Sequence, residues 1–100
     1  MSAYIIFNNR VTDPDGMAEY IPKAMETLAP FDPEFLVLEE QAQVLEGTPD
    51  FPRTVIIKFK SRGDAEAWYN SDEYGKVRPL RLAATEGVGF LVDQWEPPAV

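Results

Sequence analysis

Arg53-Thr54-Val55-Ile56-Ile57-Lys58-Phe59-Lys60, followed at once by Ser61-Arg62-Gly63-Asp64, is the stretch that decides the fold. The first eight residues are rich in β-branched and aromatic side chains, the composition of a strand. Ser61 with Asp64 three residues on has the form of a capping box, so a helix starts where the strand stops. Ala65, Trp68 and Tyr69 give that helix its inner face.

Upstream of this strand, Gly47 to Pro52 is a loop by composition. Phe35–Glu39 and Ala42–Glu46 are two apolar runs separated by Glu40-Gln41. No Gly, Asn or Asp lies between them to make a tight hairpin turn, so they read as one long strand broken by a bulge, with a true hairpin as the alternative. Before them, Met17, Tyr20, Ile21, Ala24, Met25 and Leu28 form the stripe of an amphipathic helix. Asp13 caps it and Pro14 fits its first turn. Pro22 removes one hydrogen bond, which predicts a kink or loosening near Ala18–Pro22 rather than two helices. Ala29 to Pro33 ends the helix, and Ala3–Asn9 is a first strand.

Downstream, Ser71 or Asp72 caps a further helix with Tyr74, Val77, Leu80 and Ala84 inward. Pro79 within it allows a short turn followed by a second piece. Gly87 closes the helical region, Val88–Trp95 is the last strand, and Glu96-Pro97-Pro98 is a tail. The order is β, α, long β, β, α with an extra helix, β. Two βαβ halves of this kind make an α+β, ferredoxin-like sandwich over residues 1–100: a four-stranded antiparallel sheet with helices on one face and the first and third strands central.

The strands are apolar on both faces. Ile5 and Phe7 oppose Tyr4 and Ile6; Val55, Ile57 and Phe59 oppose Ile56; Phe90 and Val92 oppose Leu91 and Trp95. A sheet with helices on one side alone alternates between apolar and polar. The chain has 100 residues, enough for one core and no more. A second copy packed sheet against sheet would cover the other face, so a homodimer is expected.

Composition narrows the chemistry. There are no cysteines and no histidines, which removes thiolate and imidazole ligands, cysteine nucleophiles and Ser-His-Asp triads. A net charge of −8 repels phosphate backbones and argues against nucleic acid as a partner. No apolar run approaches a membrane span, and Met1-Ser2-Ala3-Tyr4 lacks the pattern of a signal peptide, so a cytoplasmic protein is expected. No P-loop or G-x-G-x-x-G motif is present, and no cofactor is expected. Asp13, Asp15 and Glu19 are the acidic first turn of a helix, not a metal site.

Several side chains remain as candidates. Trp68, Tyr69 and Tyr74 fit an aromatic pocket wall, though the same spacing fits plain core packing. Arg81, seven after Tyr74, is placed to clamp a carboxylate unless it pairs with an internal acid such as Glu46 or Glu73. Asn8, with Asn9 and Arg10, ends the first strand, where an amide can bond a substrate carbonyl or serve a turn. Glu46 is a general base if buried, and otherwise a strand end. Glu39-Glu40 reads as a solvated edge.

Met1-Ser2-Ala3-Tyr4-Ile5-Ile6, Val11-Thr12-Asp13-Pro14 through Tyr20, Val44-Leu45-Glu46-Gly47 and, most specifically, Ala67-Trp68-Tyr69-Asn70-Ser71-Asp72-Glu73-Tyr74 followed by Leu80-Arg81 and Ala83-Ala84 form a further pattern. In these stretches, nearly the whole chain resembles the bacterial family called domain of unknown function 1330, within the dimeric α/β-barrel superfamily. A departure lies around the second strand, where Phe31-Asp32-Pro33-Glu34 and Glu39-Glu40-Gln41 stand in place of a glycine-rich turn. The resemblance implies a homodimeric α/β barrel built by sheet-to-sheet packing. It implies no single reaction, since the superfamily includes cofactor-free monooxygenases, muconolactone isomerases and heme enzymes. The combined expectation is a homodimer that binds a small organic anion. Its possible activities are those of a cofactor-independent isomerase, lyase or monooxygenase, with a non-catalytic metabolite-binding or interaction domain as the alternative.

Overall fold

The computed structural model describes residues 1–99. Four strands, β1 (Ala3–Val11), β2 (Glu34–Glu39), β3 (Arg53–Phe59) and β4 (Thr85–Asp93), form one antiparallel sheet in the order β2-β3-β1-β4. The first and third strands are central, as the βαβ reading requires. Helices α1 (Pro14–Leu28), α2 (Arg62–Tyr69) and α3 (Asp72–Ala84) connect them. A 3-10 turn, Ala29–Phe31, follows α1, and Asp32 leaves it with a positive φ.

The helix starts lie where capping chemistry puts them. The Asp13 carboxylate accepts from Gly16 N–H, Ser61 Oγ from Asp64 N–H, and Ser71 Oγ from Tyr74 N–H. Ser71, not Asp72, is thus the cap of α3. Both interior prolines are tolerated. Pro22 and Pro79 face solvent, where water can take the carbonyl each leaves unbonded, and α3 runs unbroken through Pro79.

The second and last strands differ most from the sequence reading. The second strand stops at Glu39, and 42–46 is irregular, neither a continuation nor a hairpin arm. The reason is the ladder: Glu39 pairs with Thr54, and β3 begins at Arg53, so beyond a single bond from Ala42 N–H to Pro52 O residues 42–46 have no strand to pair with. The bulge lies earlier, between Phe35 and Val37. The last strand starts at Thr85, so Gly87 lies within it rather than closing a helix. A Cβ on Gly87 would come 2.2 Å from Asn8 O, and glycine lets β4 pass this close to β1.

The inner face of the sheet carries Ala3, Ile5 and Phe7 beside Val55, Ile57 and Phe59, all buried under the helices. Met17, Tyr20, Ala24 and Leu28 descend from α1, Ala65 and Trp68 from α2, Tyr74 and Ala84 from α3. The outer face is a grid. Its middle row is Val37, Ile56, Ile6, Phe90; rows of Glu34, Lys58, Tyr4, Val92 and Glu39, Thr54, Asn8, Val88 flank it. No element of the described chain lies over this grid, and the Cα envelope is only 16 Å through its thinnest direction.

Candidate functional site

Period-2 alternation carries the inner-face phase of β1 and β3 one step past the apolar core. After Ala3, Ile5 and Phe7 comes Asn9, 2% exposed; ahead of Val55, Ile57 and Phe59 comes Arg53, 7% exposed. The register sets Asn9 opposite Arg53. Arg81 reaches the same end of the sheet from α3 and is also buried. Three polar side chains thus lie together beneath the helices.

They border a cavity of about 100 Å³ between α1 and the sheet. Its walls are apolar: Met17, Ala24 and Leu28 of α1, Phe7, Val55 and Ile57 of the sheet, and Trp68 of α2. Half-exposed Ile21, Met25, Phe35 and Leu38 rim it between α1 and β2. Asn9, Arg53, Arg81 and Tyr20 supply the polar part. At about 30 Å³ per water the space suits a body of only a few heavy atoms. A larger groove of about 350 Å³ runs along β4 on the other side of Phe7 and Arg81.

Arg81 is held from several sides. Its Nε–H donates to Tyr74 Oη at 3.2 Å, and its guanidinium lies 4.4 Å from the centre of the Phe7 ring. Tyr74 Oη is in turn 2.7 Å from Tyr20 Oη. Among the described residues Arg81 forms no ion pair with a carboxylate. Burial works against its charge, but the phenol oxygens of Tyr74 and Tyr20 outweigh that and hold the guanidinium above its usual pKa. Burial, then proximity to Tyr74, pushes the Tyr20 phenol well above the tyrosine range. It therefore stays protonated and serves as a hydrogen-bonding group rather than a base. Arg53 has a partner, Glu40, at 3.4 Å. Asn9 Oδ1 is buried with no hydrogen-bond partner.

The sequence candidates separate in space. Arg81 and Trp68 line the cavity. The Trp68 N–H is satisfied by Thr27 Oγ1 at 2.9 Å, so this ring offers surface rather than a donor. Tyr74 is fully buried behind Arg81, packed 4.0 Å from Trp68 by ring centres, and lines neither cavity nor groove; it positions Arg81. Tyr69 lies on the β4 groove, with Arg78 stacked on its ring and donating to its carbonyl. Glu46 is exposed in the 40–52 segment, which removes the burial that base chemistry asked of it. Asn8 points to the outer face, where its Oδ1 accepts from Thr54 Oγ1. The neighbouring Asn9 is the amide at the cavity. Of the strand-end group Asn8, Asn9 and Arg10, it is thus Asn9 that reaches the cavity; Arg53 and Tyr20 are site residues that the sequence reading does not name as such, although the alternation of β3 already puts Arg53 on the buried face. No group of three or more Asp or Glu among the described residues is arranged to hold a metal ion.

A β2-β3-β1-β4 sheet with helices on one face and a small, cation-bearing cavity beneath them defines a ferredoxin-like α+β domain. The family model for Domain of unknown function (DUF1330) matches residues 2–95, and the chain belongs to this family. A protein of unknown function from Rhodopseudomonas palustris, RPA0582, superposes with a TM-score of 0.77 at 14% identity, over 96% of this chain and 84% of that one. A dimeric ferredoxin-like protein of unknown function from Thermobifida fusca gives 0.61 at 14% identity, over 94% and 92%. SnoaB, a cofactor-independent oxygenase from Streptomyces nogalater, gives 0.66 at 9% identity, over 96% and 95%. At these identities the likeness is one of fold. No curated protein matches the sequence. No helix among the described residues is long and apolar enough to cross a membrane.

Proposed function

We propose that this protein is a homodimer in which each subunit binds a small organic anion, with the apolar body in the cavity under α1 and the carboxylate on Arg81. One observation carries the reading: Arg81 is a buried cation on a cavity wall and has no carboxylate partner among the described residues. An unpaired buried charge is costly, and a bound anion offsets that cost with bidentate, charge-assisted hydrogen bonds. The homodimer is supported by the uncovered apolar middle row of the outer face and by the dimeric relative of the same fold.

A catalytic reading has a narrower basis. The described lining residues include no Asp, Glu or Lys, and Tyr20 is held protonated. Proton abstraction by the protein therefore has no base in the cavity. What the wall does offer is donors in an apolar enclosure, the environment that stabilises an enolate or other developing anion. That favours, within the enzyme class, a reaction in which the substrate supplies its own reactivity, as a cofactor-independent oxygenation does.

The test is a calorimetric titration with a panel of small monocarboxylates, beside light scattering on the free protein. Binding by the wild type and its loss in Arg81→Met, with the melting temperature of the variant unchanged or higher, is the expected result. A variant that binds as well as the wild type would remove the anion reading. Consumption of dissolved oxygen with a bound acid would move the protein into the enzyme class.

A further inference from the structure

The cavity holds two buried guanidiniums that differ in one respect. Arg81 has no counter-ion, whereas Arg53 meets Glu40 Oε2 at 3.4 Å. Glu40 is the first residue after β2, and its side chain is mostly exposed. Its backbone is held near Arg53. Ala42 N–H donates to Pro52 O at 2.9 Å, which draws together the two ends of the 40–52 segment, one beside Glu40 and the other beside Arg53. Two cations and one anion leave a single positive charge at the polar end of an apolar chamber, and the described lining contributes no other charged group.

We infer that the site selects monoanions over dianions, and that Glu40 is the residue that sets this selectivity. The inference rests on the reading of the cavity as an anion site. One carboxylate on Arg81 brings the site to neutrality. A second carboxylate has only Arg53 to go to, and must either displace Glu40 or lie beside it as a like charge. Two carboxylates side by side at one guanidinium repel each other, which disfavours that arrangement. Glu40 is thus an internal stand-in for the second carboxylate that the ligand lacks.

Crotonate and fumarate test it, because they share a four-carbon trans-unsaturated skeleton and differ by a methyl against a second carboxylate. The wild type is expected to bind crotonate at least about tenfold more tightly than fumarate, the scale of one charge-assisted hydrogen bond. Glu40→Gln is expected to bring the two acids to parity or reverse them, mainly through tighter fumarate binding. Asp50→Asn removes an equal charge from the same segment and should leave the preference where it was. If Glu40→Gln keeps the wild-type preference, or Asp50→Asn shifts it as much, the inference falls while the anion site stands. If the wild type binds neither acid, or Arg81→Met binds crotonate undiminished, the anion site falls and takes the inference with it. Circular dichroism checks that each variant folds. Should Glu40→Gln fail to fold, Glu40→Asp, which keeps the charge but withdraws it from Arg53, carries the same expectation in weaker form.

Discussion

The two faces of the sheet are built from nearly the same residue types and end in opposite circumstances. On the inner face, Ile5, Phe7, Val55, Ile57 and Phe59 are covered by three helices and are at most 6% exposed. On the outer face, Ile6 and Ile56 sit at the centre of a row that ends in Val37 and Phe90, and the described chain puts nothing over them. Phe90 is 53% exposed and Val37 36%. The covered side also holds charged groups that burial ordinarily disfavours, Arg53 of the sheet and Arg81 reaching it from α3, while the middle row of the outer face has none. Covered polarity and uncovered apolarity are both departures from the ordinary division of a protein surface. The first points to a ligand and the second to a partner.

The difference between the faces is sharpened most by truncating the covered one. Trp68 is 1% exposed and packs on Phe59 and Tyr74. Trp68→Ala should lower unfolding free energy by about 3–5 kcal/mol, read from the denaturant midpoint. A loss under about 1 kcal/mol would mean that the helix layer does not seal the inner face as described. Next in size is the outer face. Ile56→Asp puts a charge in the middle row, and its cost should be about 3 kcal/mol or more if a second copy buries that row. Light scattering should show the wild type at twice the chain mass and the variant at one. A wild-type monomer, or a variant that stays dimeric, would break the contrast between the faces.

A pH titration probes the inner face from within. Below about pH 10 both folded and unfolded tyrosine are protonated, and Tyr20 adds no pH dependence. Above that, the unfolded phenol ionises while burial keeps the folded one neutral, so the unfolded state binds fewer protons and stability falls as pH rises. The slope due to this one group is at most about 1.4 kcal/mol per pH unit. Tyr20→Phe should show a shallower alkaline decline by that amount. Equal slopes in the two proteins would show that Tyr20 is freely titrated in the fold.

Most of this contrast was legible in the residues. The alternation of Ala3 to Asn9 and of Arg53 to Phe59 contains both faces, and the apolar residues in both phases already require two covers. The same alternation contains Asn9 and Arg53. Which strand-end amide faces the cavity, and that Arg53 joins it, stays open in the sequence because a polar residue at a strand end also fits turn chemistry, and only the helix layer decides which it is. Residues 42–46 mislead for the converse reason. Ala42, Val44 and Leu45 have strand composition, but strand formation needs a partner, and β3 has none to offer beyond Arg53. The pairing of Arg53 with Glu40 was beyond reach from sequence, since it depends on how the 40–52 segment closes on itself.

The smallest effects come from the helix caps, which belong to neither face and so serve as the baseline for both. Asp13 accepts from Gly16 N–H at 3.2 Å and Ser61 from Asp64 N–H at 3.0 Å. Replacing either by Ala leaves a backbone donor at a helix start without its partner, at a cost of about 1 kcal/mol. Both caps lie outside the outer-face grid and the cavity lining, so neither substitution should alter assembly or the affinity for a carboxylate. The two also differ in setting. Asp13 is exposed and water can replace its bond, whereas Ser61 is half-buried at the junction of β3 and α2. Ser61→Ala should therefore cost more than Asp13→Ala in the same denaturant titration. The reverse order would mean that the charge of Asp13 on the first turn of α1, rather than solvent exclusion, governs what a cap contributes in this fold.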